Sequence, residues 1–187
     1  MVQQTRTGMF QALSNFQFSR DRAATLSQQN LIRLRNESLQ ELLSDFENTE
    51  HKLEYVKNIE GVDFINDSRA TNANAVWFAM ESMHQPVIWI TNMSSMELIT
   101  EDLKQVIQEK VKIVVIQGVY NTELRDFFKK MNKDVYSVID LEDAVRTAFY
   151  AGSSEETVLF SPGVVSGGIY RTYRERGERF KEAVAQL

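Results

Sequence analysis

The sequence predicts an α/β fold of three layers, with a mostly parallel sheet of five or six strands between helices on both faces. Three observations predict it. Short apolar runs such as Val87-Ile88-Trp89-Ile90 and Val111–Ile116 alternate along the chain with segments of helical period. Apart from Lys112, these runs are apolar at successive residues rather than at every second one, as strands covered on both sides are. The chain has 187 residues, 43% of them apolar, enough to bury a core without disulfides or metals.

Residues 1–20 have no clear period and suit a loose arm or a short helix. Residues 21–34 can be helical, with Ala24, Leu31 and Ile32 apolar. A better helix begins at Ser38, where Leu39, Leu42, Leu43 and Phe46 share a face. Leu53–Ile59 and Val62–Ile65 read as two strands joined by Glu60-Gly61, a hairpin turn. Asn72–Met83 is predicted helical, with Ala73, Val76, Trp77 and Met80 on one face. Then strands at 86–90, 111–116, 135–138 and 157–160 alternate with helices at 101–110, 122–131, 141–150 and 170–185. In the closing helix Tyr173, Gly177, Phe180 and Val184 fall on one side. Its charged residues, Arg171, Arg174, Arg176 and Arg179 among Glu175, Glu178 and Glu182, read as a solvated face.

Composition excludes several functions. Zero cysteines removes disulfides, thiolate metal sites and a cysteine nucleophile. Two histidines make a multi-histidine metal centre improbable. No run approaches a membrane span and no apolar leader follows the start, so a cytoplasmic, non-membrane protein is expected. Net charge is -5, while residues 1–36 hold five arginines and one acid, Asp21. The acidic remainder argues against a nucleic-acid partner. The Arg-rich, acid-poor arm has some likeness to an organellar presequence, but glutamine and asparagine supply much of its polarity.

In a parallel sheet of this kind ligands bind at the carboxyl ends of strands. The loops after Ile65, Ile90, Gln117 and Phe160 are therefore the ones to inspect. No GxxxxGK[ST] loop is present, and no GxGxxG follows a strand. After Ile65 comes Asn66-Asp67-Ser68-Arg69-Ala70-Thr71-Asn72. Asp67 could accept from ligand hydroxyls, and Thr71 or Asn72 could cap the next helix and leave amides for an anion. Composition alone favours a turn with an N-cap. After Phe160 comes Ser161-Pro162-Gly163-Val164-Val165-Ser166-Gly167-Gly168, equally readable as a site or a flexible connection. A lone histidine such as His51 is more often structural than catalytic.

Taken together these segments are specific. His51-Lys52-Leu53-Glu54, the 66–72 motif fifteen residues on from His51, Ser161-Pro162 and Arg176-Gly177 keep the order and spacing of one family. Residues 37–187 resemble the C-terminal, Rossmann-like domain of the Mur ligases, and within them the D-glutamate-adding group, MurD. Residues 1–36 then become an arm, partly helical, that looks like the end of the preceding domain.

The resemblance implies ATP-dependent ligation in peptidoglycan precursor synthesis, with ATP or ADP and Mg²⁺ as the family's ligands. It implies nucleotide contacts at Lys52, Asp67 and Asn72, and contacts to a D-glutamate-like acid at Arg69, Thr71 and Ser161. No catalytic residue and no metal ligand is carried over. Several positions depart from the pattern. Lys52 stands where the family has arginine, and Arg69 where it has lysine. Thr91-Asn92-Met93-Ser94-Ser95-Met96 has no glycine and no lysine where the family has a glycine-rich turn ending in lysine. Gly167-Gly168 replaces an aromatic and an acid. Phosphoryl transfer depends on positioning nucleotide, metal and carboxylate between domains. The expectation is a domain that does not complete the ligation alone. Alternatives are part of a ligase assembled in trans with a separate ATP-binding domain, or an interaction module. Such a module would pair as a homodimer or with cell-wall precursor enzymes.

Overall fold

A computed structural model describes residues 50–118 and 120–187. The expected arm over 1–36 and the helices expected over 21–34 and from Ser38 lie outside these residues. The described chain forms six strands in the order β1-β2-β6-β3-β4-β5. They are β1 Glu54–Ile59, β2 Val62–Asn66, β3 Val87–Thr91, β4 Val111–Gln117, β5 Asp134–Val138 and β6 Thr157–Phe160. Only β1 runs antiparallel, to β2. The expected hairpin turn is present: Glu60 and Gly61 both have positive φ, 51° and 87°, as a two-residue type I′ turn requires.

Among the described residues five α-helices cover the sheet: α1 Ala73–Glu81, α2 Glu101–Lys110, α3 Thr122–Lys130, α4 Leu141–Ala151 and α5 Tyr173–Ala185. Each starts where a polar side chain accepts from the amide three residues on: Asn72, Thr100, Asn121, Asp140 and Thr172. Those caps correct two expected boundaries. Asn72 precedes α1 rather than opening it. The last helix begins at Tyr173 and not at Tyr170, because Thr172 is extended and Glu175 accepts from the Arg171 amide at 2.8 Å.

The strands are apolar on both sides because both sides are covered. Val87 and Trp89 join Val76, Met80, Leu103, Ile107, Leu124 and Phe128 from α1, α2 and α3. Ile88 and Ile90, alternating with them, join Leu141, Val145, Phe180 and Val184 from α4 and α5. The result is a three-layer α/β domain. Among the described residues no helix is long and apolar enough to cross a membrane.

Topology positions the site. The chain leaves β2, forms α1 and returns as β3, while β6 fills the gap between them. Asn66 and Ile90 are both register partners of Phe160. The residues after these three strands therefore emerge side by side at the point where strand order switches.

Candidate functional site

The 66–72, 91–96 and 161–168 loops gather on one edge of the sheet, as their strand-end positions predict. The Asp67 amide donates to Phe160 O at 2.8 Å, and the Gly163 amide to Ala70 O at 3.1 Å. The Asn92 amide and the Thr91 hydroxyl both donate to Pro162 O, at 3.0 and 3.2 Å. Trp89 Nε1 donates to Ser161 O at 2.8 Å from below.

Asp67 and Ser161 meet directly. Ser161 Oγ donates to Asp67 Oδ2 at 2.7 Å, and the Leu53 amide reaches Oδ1 at 3.4 Å. Asp67 is buried, only 4% exposed. Burial pushes its carboxyl up to about 7, against the opposing pull of the Ser161 hydroxyl, the Leu53 amide, Lys52 and Arg176. Both oxygens thus already have donors within the chain. Lys52 is half-buried and its charge reaches Asp67.

The other candidate residues are more exposed. Asn72 is exposed, and its Oδ1 is committed to the Ala75 amide at 3.0 Å. Thr71 beside it is half-buried. Arg69 is exposed and lies over the Tyr173 ring at 5.8 Å. The structure therefore unites Asp67, Ser161 and Lys52, with Thr71 and Asn72 at the start of α1 and Arg69 turned along Tyr173.

Beside this edge sits a second cluster that locks the first motif to the last helix. His51 is 2% exposed, and its Nδ1 accepts from Asn66 Nδ2 at 3.1 Å. Asn66 Nδ2 also donates to Glu54 Oε2 at 2.8 Å, which accepts from the His51 amide at 3.0 Å. His51 Nε2 faces Glu178 at 3.5 Å and Glu50 at 3.9 Å. These three residues are close enough together to suggest a metal site. Lys181 Nζ, at 2.8 Å from Glu178 and 2.9 Å from Glu50, accounts for the acids as an ion-pair network.

Arg176 corrects the expectation of a solvated charged face on α5. It is 2% exposed and donates from Nη2 to Ser68 O at 2.8 Å and Val164 O at 3.1 Å. Its neighbours Arg171, Arg174 and Arg179 are exposed as expected. The pairing of Arg176 with Gly177 was the available signal. Helical spacing from Phe180 and Val184 puts Gly177 inward, and Arg176 lies at its edge.

Asn92 was also missed, because its segment was judged by the lysine it lacks. Its Nδ2 donates to Gln117 Oε1 at 2.5 Å and Gln117 O at 3.2 Å, and Gln117 Nε2 donates to Ile139 O at 3.3 Å. The ends of β3, β4 and β5 are tied together this way, at the floor of a cavity of about 770 Å³.

A D-glutamate ligase of Bacteroides fragilis, UDP-N-acetylmuramoylalanine–D-glutamate ligase, is 36% identical over 159 residues, which is 84% of this chain and 36% of that protein. The chain belongs to the Mur ligase family. The ligase of the same name from Porphyromonas gingivalis is 33% identical over 176 residues, covering 94% of this chain and 39% of that protein. The chain thus spans little more than a third of the length of the curated Mur ligases it matches. Among solved structures, the UDP-N-acetylmuramate-alanine ligase MurC of Thermotoga maritima superposes with a TM-score of 0.51 at 18% identity, over 78% of this chain and 32% of that one. That likeness concerns fold alone. No family model matches the chain.

Proposed function

We propose that this Mur ligase domain forms the C-terminal wall of an ATP-dependent, cytoplasmic D-glutamate-adding site of the MurD type. The contact between Asp67 and Ser161 carries the reading. It brings the nucleotide-side motif and the amino-acid-side motif, far apart in sequence, within 2.7 Å. Lys52 and Asp67 face the nucleotide, Lys52 as a point charge for phosphate and Asp67 as partner for ribose hydroxyls. Asn72 serves the nucleotide side through the amides it orders at the start of α1. Thr71 and Ser161 hold the D-glutamate, with Arg69 as the nearby cation.

The fit to nucleotide is partial. Asp67 already accepts from Ser161 and Leu53, so a ribose must share its oxygens or displace a donor. ATP and Mg²⁺ therefore need a P-loop supplied by another domain, in the same or a separate chain. In this reading the 187 residues alone orient a nucleotide and an amino acid without joining them.

The purified chain should form no product from ATP, Mg²⁺, D-glutamate and the UDP-muramoyl-alanine acceptor. Calorimetry with ADP should give an affinity no better than about millimolar, worth roughly 4 kcal/mol. Phosphate release lost in Asp67→Ala would overturn the first expectation. Micromolar ADP binding that survives Lys52→Ala and Asp67→Ala would overturn the assignment of the site.

A further inference from the structure

A cavity lies at the ends of β3, β4 and β5, beside the first turn of α5. Val138 and Ile139 line it from the end of β5, and Val164, Val165 and Ile169 from the loop after β6. Its volume, about 770 Å³, suits a small organic ligand. Three of the lining residues are far more exposed than apolar side chains usually are: Ile139 at 83%, Val165 at 73% and Ile169 at 70%.

Among the described residues one charged side chain lines this apolar space, that of Arg176. A guanidinium that is 2% exposed is ordinarily paired with a carboxylate. Among the described residues no carboxylate lies within ion-pair distance of it. Both N–H groups of Nη2 are used by the Ser68 and Val164 carbonyls, and Nε has no partner. The acid whose charge reaches it, Asp67, has its carboxyl pushed up to about 7 by burial, so it offers less than a full negative charge near neutral pH. Among the lining residues, Ser137 also has a hydroxyl that is buried without a partner. A buried donor left without a partner is costly, and a carboxylate that accepts from it recovers part of that cost.

We propose that this cavity binds a small amphipathic carboxylate, its charge seated on Arg176 and its apolar body against Val138, Ile139, Val164, Val165 and Ile169. The site is distinct from the Asp67–Ser161 pair: Arg176 separates them, with Ser68 O on one side and Val164 O on the other. Guanidinium recognises a carboxylate through planar, directed N–H groups. The apolar wall supplies affinity that a bare inorganic anion cannot use.

Octanoate, octanamide and inorganic phosphate are the probes, titrated into the full chain by calorimetry and by amide chemical shifts. Octanoate should bind at least tenfold more tightly than either of the others, with shifts centred on residues 137–139 and 164–170. Arg176→Gln should erase the preference for octanoate over octanamide. Because Arg176 also ties two loops together, Ile139→Asp is the second variant. Its side chain is exposed and it accepts only through its backbone carbonyl, so the fold is unaffected. Its added negative charge should weaken octanoate about tenfold and leave octanamide unchanged. Equal binding of octanoate and octanamide, equal binding of phosphate, octanoate unaffected by Ile139→Asp, or shifts centred elsewhere would each overturn the proposal.

Discussion

Asp67→Asn should gain about 4 kcal/mol in stability on the parent chain as pH rises from 4 to above 7. Burial raises the Asp67 carboxyl from 3.8 to about 7 in the folded domain. The folded state therefore holds a proton that the unfolded state has already released. Stability from the protonated carboxyl is complete below about 4, and it is lost as pH climbs through about 7. Asparagine keeps one side-chain oxygen to accept from either the Ser161 hydroxyl or the Leu53 amide, and it has no proton to lose. The other carboxylates titrate in both chains, so the difference between parent and variant isolates Asp67. Urea unfolding of both at pH 4, 5.5 and 8 measures it. Parallel stability curves would mean that Asp67 is ionised throughout. Ser161→Ala removes the hydroxyl that opposes the rise, so in that variant the loss should begin at still higher pH.

Gly177→Ala should cost about 3 kcal/mol and lower the melting temperature by about 6–12 °C. A Cβ at Gly177 would lie 2.3 Å from His51 Nδ1 and 2.4 Å from Ser68 Oγ. Neither neighbour can step aside cheaply. The His51 ring is held by Asn66 Nδ2 and packs edge-on to Tyr173 at 6.1 Å. Ser68 sits in the turn whose carbonyl receives Arg176. The ordinary gain in helix propensity from glycine to alanine, about 1 kcal/mol, is outweighed by the overlap. Gly167→Ala is the control, since nothing lies within 4 Å of its Cβ position. It should change stability by less than about 0.5 kcal/mol. Equal melting temperatures for the two variants would remove the steric account of Gly177.

The sequence announced the elements well because each rests on local chemistry. Val111–Ile116 is apolar at every position but Lys112 and reads as a covered strand, which the structure extends to Gln117. Glu60-Gly61 can adopt the two positive φ angles of a tight hairpin. Thr100, Asn121, Asp140 and Thr172 can each accept from the first turn of a helix. The boundary at Tyr170 failed because apolar periodicity continued past the cap. Capping is decided by one side chain's reach, which periodicity does not register.

The site was half legible. Asp67 and Ser161 were both found, each by its place after a strand, but their contact depends on β6 lying between β2 and β3. No local pattern encodes that order, because pairing between strands so distant in the chain is chosen by the whole sheet. The same holds for Arg176. On the helix alone it belongs to a row of charges, and only the Ser68 and Val164 carbonyls opposite make its burial tolerable. By itself, then, the sequence determined the layered α/β class and the strands and helices of the described residues, which rest on residues near one another, and the family, which rests on the order and spacing of its motifs. The tertiary structure alone decided that Asp67 and Ser161 touch, that burial pushes the Asp67 carboxyl up to about 7, and that the buried Arg176 guanidinium meets backbone carbonyls rather than a carboxylate among the described residues. Those are consequences of desolvation and charge separation, which exist only once distant segments have excluded water together.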